Sequence, residues 1–184
     1  LSKGSEAQTY LVDSCPVSVC HLKRAGSSHL YSDERKAYFG YCASKEERFY
    51  GLKVHLVTDA SGCPVEIDLS CGSRSDLTGL KELPLALPKG STLYADKGYT
   101  DYDLEARLLS EHGISLQALR RKNSHRPHPE EWAKTIRKAR KRIETTFSKV
   151  TEKFGHHIHA VTEKGFEIKV IATFLAYAIL LLAG

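Results

Sequence analysis

Three acidic residues stand where an acid is expensive to keep. Asp13 interrupts the apolar run of Tyr10, Leu11, Val12, Val17 and Val19, Asp96 follows Leu93, Tyr94 and Ala95, and Glu144 sits beside Ile143 in the basic stretch RKARKRIETTFSKVTEKFG, residues 137–155. A carboxylate set into an apolar strand needs a partner that offsets its desolvation. Two readings fit Asp13: a strand-end acid capping a loop amide, or a ligand of a cation. Asp96 has the same character. Carboxylates at the ends of neighbouring strands repel, and a divalent cation between them removes the repulsion. Glu144 also has two readings. It is either half of a helical ion pair with Arg140, worth about 0.2–0.5 kcal/mol, or the third acid of a phosphodiester site, where acids hold metal and bases hold the strand.

The elements around these residues follow from periodicity. Residues 10–20 read as a buried strand and 21–47 as a polar surface excursion. Residues 48–72 form a hairpin: Leu52, Val54 and Leu56 alternate, residues 59–62 turn, and Val65, Ile67 and Leu69 resume the alternation. A short helix starts at Ser75 or Asp76 and stops before Pro84. Residues 91–101 hold a strand ending near Asp96, and Thr100 and Asp103 have capping-box spacing for a helix that Gly113 terminates. Residues 114–119 make a last strand. A long helix then runs over about 130–154, with Ile136, Ala139, Ile143, Phe147, Val150 and Phe154 along one stripe. Glu144 falls at the margin of that stripe, on the side of Arg137, Arg140 and Lys141. The apolar residues 170–183 fall short of the roughly 20 needed to cross a bilayer, so a helix buried on the core is expected. Tight-turn strands first and helix-linked strands later give an α/β class with a mixed sheet.

The 184 residues suit a single domain, 1–184, with a real core. The net charge of +5 conceals an uneven distribution: residues 120–153 hold 12 Lys and Arg against 4 Asp and Glu. Such a segment fits a solvated helix face or a phosphate backbone. Lys97, Arg120, Arg121, Arg137, Arg140 and Lys141 are the candidate phosphate contacts. Lys53 and His55 alternate along the second strand and fit either an exposed strand face or the same edge. Cys15, Cys20, Cys42, Cys63 and Cys71 are odd in number and irregular in spacing, without a preceding signal peptide, which argues for reduced thiols in a cytosolic protein. Cys15, Cys20 and His21 have poor zinc spacing. His156, His157 and His159 follow Gly155, and a loop or helix-end role suits them better than a metal. The chain starts at Leu1 and contains no Met, so it is read as beginning inside a longer reading frame.

VDSCPV around Asp13, FYGLKVHLVTDASG, YADKGYTD around Asp96 and RIETTFS around Glu144 occur in one order, followed by GFEIKVIATFLAYAILL. In this the chain resembles insertion-sequence transposases of the Asp–Asp–Glu type, from about residue 10 to 182. The resemblance implies a ribonuclease H-like fold, a mixed five-stranded sheet flanked by helices. It makes Asp13, Asp96 and Glu144 catalytic metal ligands for Mg²⁺, with Mn²⁺ as substitute. It further implies cleavage and strand transfer during DNA transposition, with transposon ends and target DNA as partners. A homo-oligomeric active form, a cytoplasmic, nucleoid-associated location and no membrane partner follow as expectations. Related transposases often carry Tyr, Arg, Glu and Lys at fixed spacing on this helix. Here Arg140 and Glu144 match, whereas Arg137 and Thr151 occupy the Tyr and Lys positions, which points to a sister family. The amino-terminal DNA-binding region of such enzymes is not expected within these residues. Three rivals remain: an inactive remnant that only binds DNA, a ribonuclease H-like nuclease, and a structural module whose basic helix docks an acidic protein.

Overall fold

A computed structural model describes residues 8–43, 46–155 and 158–183. The elements run β1 (Thr9–Ser18), β2 (Phe39–Cys42), β3 (Glu47–Asp59), β4 (Pro64–Cys71), α1 (Asp76–Glu82), β5 (Thr92–Ala95), α2 (Tyr102–Arg107), β6 (Ser115–Ala118), α3 (Glu130–Phe154) and α4 (Glu163–Ala183). Among the described residues they form a six-stranded sheet in the order β2-β3-β1-β5-β6, with β4 also paired to β3. β3 runs antiparallel to both β1 and β4, while β5 runs parallel to β1 and β6 parallel to β5.

The sixth strand corrects the expectation of five. β2 lies inside the polar excursion, which otherwise holds two 3-10 turns, Leu22–Ser27 and Arg35–Tyr38. It pairs Phe39 with Tyr50 through Cys42 with Glu47. Four residues with a glycine at the second position are too few for a period-two signal. That glycine is required by packing: a Cβ on Gly40 would stand 2.3 Å from both the Phe49 ring and the Gly72 carbonyl oxygen.

Strand alternation divides the core between the two faces of the sheet. Leu11, Val54, Leu56 and Tyr94 face α3 and α4, meeting Ile136, Ile143, Phe166 and Val170. Tyr10, Val12, Val57 and Leu93 face α1 and α2, meeting Leu80, Leu83, Leu104 and Leu108. Val65 leaves the expected alternation because a register shift opposite Val57 and Thr58 turns it outward.

Ser75 caps α1 by accepting from the Thr78 amide at 3.1 Å. The cap of α2 is Asp101 rather than Thr100: its carboxylate accepts from the amides of Asp103 and Leu104 at 3.1 and 3.0 Å. The Thr100 hydroxyl is engaged elsewhere, donating to the Leu119 carbonyl. Gly113, at φ +68°, ends the helical segment as its position suggested.

α3 has the expected bounds and buries Ile136, Ile143 and Val150, with Thr146 joining them by donating to the Gly62 carbonyl at 2.7 Å. Phe154, at the far end of the stripe, is exposed. α4 departs further from expectation. It has 21 residues, long and apolar enough by length and composition to cross a bilayer. Phe166, Val170, Phe174, Tyr177 and Ala178 pack inward, while Ile168, Ile171, Leu175, Ile179 and Leu182 lie exposed on the rest of its surface. The helix is therefore buried on one face only.

Candidate active site

Strand register brings the first two acids together. β1 and β5 pair in parallel from Thr9 with Thr92 to Leu11 with Tyr94. Asp13 and Asp96 each lie two residues beyond that last pair, at the same edge of the sheet. The Asp13 carboxylate accepts from the Ser14 amide at 2.9 Å. Asp96 leaves β5 as the cap of the Lys97–Tyr99 turn and accepts from the Lys97 amide at 2.7 Å.

α3 crosses both strands and supplies the rest. Ile136 and Ile143 anchor the helix in the core, and Arg140 between them points to the sheet edge. Its guanidinium meets all three acids: Asp13 Oδ2 at 3.3 Å, Asp96 Oδ1 at 3.4 Å and Glu144 Oε1 at 3.4 Å. The acids differ in burial, their side chains being 17%, 31% and 56% exposed in that order. Among the described residues no three His, Cys, Asp or Glu side chains are close enough together to hold one ion directly. The acids converge instead on a cation that the protein itself provides.

Burial dominates the electrostatics of Asp13. It pushes the carboxyl from 3.8 up to about 6, against the lowering influence of Arg140 and the Ser14 amide, with Asp96 adding repulsion. Asp13 is thus poorly stabilised as an anion even with a guanidinium beside it. A group of higher positive charge would hold it better.

A fourth acid was read from the sequence only as a helix start. Asp76 opens α1 on the opposite face of β1. Its Oδ1 accepts from Ser14 Oγ at 2.6 Å and pairs with Lys53 Nζ at 3.0 Å. The Tyr99 phenol is buried nearby, and burial followed by the charges of Asp13 and Asp76 raises its pKa well above the usual tyrosine value. No sequence period links residues 14, 53, 76 and 99, so only the tertiary fold reveals this neighbourhood.

The candidate phosphate contacts separate in space. Arg140 occupies the centre. Lys97, Arg121, Arg137 and Lys141 are exposed, Arg137 also pairing with Glu130 at 3.1 Å. Arg120 is set apart: its guanidinium is held bidentately by Glu105, one contact at 2.7 Å, and lies 5.0 Å over the Tyr102 ring. With its side chain 9% exposed, it ties the end of β6 to α2.

His55, read as alternating with Lys53 along an exposed strand or edge, is fully buried. Its Nε2 meets Ser70 Oγ at 2.8 Å, and burial lowers its pKa. α1 covers this stretch of β3, and the absent side chain of Gly79 makes room: a Cβ there would stand 2.1 Å from the imidazole. Lys53 does reach the edge, where it also donates to the Arg74 carbonyl at 2.7 Å. Cys15 and Cys20 pack, partly buried, against the α3 and α4 side of the core. His156 and His157 lie outside the described residues, and the carbonyl of His159 accepts from Lys169.

A family model described as a transposase DDE domain matches residues 4–179. A transposase for insertion sequence element IS1106, from Neisseria meningitidis serogroup B, is 33% identical over 109 residues, which are 58% of this chain and 38% of that protein. The match therefore spans well under half of the relative's length. No solved structure matches the chain.

Proposed function

Because the chain belongs to the transposase DDE domain family, we propose that it cuts DNA and joins the freed 3′ end to target DNA, using Asp13, Asp96 and Glu144 as its catalytic acids. One observation carries this reading. Acids from the first strand, the end of its parallel neighbour and a late helix meet on one guanidinium at 3.3–3.4 Å. The strand order β4-β3-β1-β5-β6, with helices on both faces, supports the ribonuclease H-like assignment.

The donor set fits a divalent cation. It contains only carboxylate oxygens, which suit Mg²⁺, with Mn²⁺ as substitute, better than they suit zinc. Burial disfavours the Asp13 anion, so cation binding would be coupled to its ionisation. When bound, the metal supplies a nucleophile of lowered pKa and charge stabilisation at the phosphate.

The residues divide the remaining work. Asp13 anchors the site on a rigid strand, and the Lys97 amide fixes the orientation of Asp96. Glu144, the most exposed of the three, closes the site from α3. Arg140, which holds all three acids, would be free to bind the phosphate where cations neutralised them. Lys97, Arg121, Arg137 and Lys141 form the basic rim along which the strand lies. Arg120 keeps the β6 to α2 wall in place. Attack by water on the scissile phosphate breaks its P–O3′ bond and leaves a 3′ hydroxyl and a 5′ phosphate; that hydroxyl then attacks a target phosphodiester, forming a new P–O3′ bond and releasing the target strand's own 3′ hydroxyl. The active form is proposed to be a homo-oligomer on DNA.

Nicking of supercoiled plasmid with Mg²⁺ or Mn²⁺, and joining of a pre-cut 3′ end, test the proposal. Asp96→Ala should lose both activities while its circular dichroism spectrum stays unchanged. An Asp96→Ala protein that still cleaves DNA with Mg²⁺ would refute the assignment. Cleavage without joining by the parent protein would make it a nuclease, and DNA binding without cleavage would make it an inactive remnant.

A further inference from the structure

The sheet edge that carries the acids continues into a cleft of about 870 Å³. Its walls are the β2–β3 ladder and the segment joining β4 to α1, and they include Phe39, Tyr41, Arg48, Lys53, Arg74 and Asp76. Phe39 and Tyr41 are two residues apart on β2 and so share one face. Tyr41 lies directly across from Arg48. Both rings are open to solvent, 41% and 56% exposed. Lys53 offsets the charge of Asp76 at 3.0 Å, and Arg74 pairs with Glu82 at the rim. The cleft reaches Gly98, two residues after Asp96, and Asp76, which Ser14 ties to the strand of Asp13.

We propose that this cleft binds unpaired nucleotides of the DNA strand next to the scissile phosphate, with bases stacked on Phe39 and Tyr41 and phosphates on Arg48 and Arg74. The inference rests on the transposase reading above and adds the form of DNA recognised beside the site. Exposed aromatic rings flanked by basic side chains make a stacking platform for single strands. The bases of a duplex already stack on each other, so open ring faces select nucleotides whose own stacking partners are gone. An acidic peptide would use the arginines and leave both rings uncovered. The cleft comes nearest the acids through Gly98, two residues after Asp96, and Asp76, hydrogen-bonded to the Ser14 that follows Asp13, and a strand leaving the site enters it there.

Fluorescence anisotropy of the intact chain in EDTA tests this, with a labelled 12-nucleotide single strand and a blunt duplex of the same sequence. Tyr41→Ala should weaken single-strand binding about tenfold, within the range for loss of one stacked base, and change duplex binding less than twofold. Tyr41→Phe, which keeps the ring, should bind as the parent does. Arg48→Ala should lower the single-strand slope of log affinity against log salt by about 0.7. Phe39 packs on Tyr50 at 5.0 Å between ring centroids, so Tyr41 is the cleaner position to vary. A strand carrying 5-iododeoxyuridine should photocrosslink to β2. Equal loss on both DNA forms, no loss on either, or crosslinks confined to α3 would overturn the proposal. Cleavage is silent in EDTA, so a failure of the cleft alone leaves the transposase reading standing, whereas a chain that binds neither DNA form would sink both.

Discussion

Asp13→Asn should make the metal-free protein more stable while removing its chemistry. Burial raises the Asp13 carboxyl from 3.8 to about 6, so the anion is disfavoured in the folded chain even beside Arg140. At 1.36 kcal/mol per tenfold change in proton affinity, the difference amounts to about 3 kcal/mol. The folded state binds more protons than the unfolded state between those two values. Stability of the parent protein therefore falls as pH rises from about 4 to 6 and is level above that. Asparagine has nearly the same shape and no charge, so the variant escapes this fall. Because the side chain is 17% exposed, water relieves part of the strain, and a gain of about 2–3 kcal/mol at pH 7.5 is expected. For a domain of this size that is a rise in Tm of about 4–12 °C. Thermal unfolding in EDTA at pH 7.5, 6 and 4.5 is the assay. The gain should shrink steadily toward acid. Mg²⁺ should narrow the gap at pH 7.5 by stabilising only the parent, by about 2.7 kcal/mol at a hundred times its Kd. A variant no more stable at pH 7.5, or equally advantaged at every pH, would refute the assignment of burial as the cause.

Further outcomes follow from the same contacts. Cleavage at fixed Mg²⁺ should decline as pH drops through about 6, because Asp13 must be ionised to hold a cation, and more Mg²⁺ should move the midpoint lower; a flat profile from pH 7 to 5 would count against Asp13 as a ligand. Arg140→Ala removes an influence that lowers Asp13, so at the same Mg²⁺ the cleavage midpoint should move to higher pH than the parent's, read from a pH series on labelled oligonucleotides. Arg120→Ala leaves Glu105 without its bidentate partner and should cost about 2–3 kcal/mol in urea unfolding, with the salt slope of DNA binding unchanged at permissive temperature. Gly79→Ala drives a methyl group to 2.1 Å from the buried His55 ring and should cost about 1–3 kcal/mol by the same assay.

The long-period features were legible in the sequence, and the reasons are physical. α3 declares itself over 25 residues because an apolar stripe repeats at helical spacing and Pro129 and Gly155 bound it. β1, the β3–β4 hairpin and β5 were visible from alternation and turn residues. β2 was not, since four residues around a glycine carry no period. α4 was undercounted because Glu163, Lys164, Glu167 and Lys169 make its first two turns look polar. At the site, the apolar settings of Asp13 and Asp96 singled them out, and parallel register explains why they adjoin. What could not be read was pairing across long separations. Arg120 and Arg140 are the same residue type in the same basic segment, yet one is consumed by Glu105 and the other meets three acids. Asp76 and His55 acquire their surroundings only when α1 settles on β3.

The proposed chemistry stands on Asp13, Asp96 and Glu144 sharing divalent cations during strand cleavage. Anomalous diffraction from crystals grown with a DNA end and Mn²⁺ tests it most directly. Manganese is expected within about 2.0–2.4 Å of carboxylate oxygens of all three residues, with the Arg140 guanidinium moved from the acids to a phosphate. Manganese bound elsewhere, with Arg140 still bridging the three carboxylates in a complex that cleaves its DNA, would contradict it.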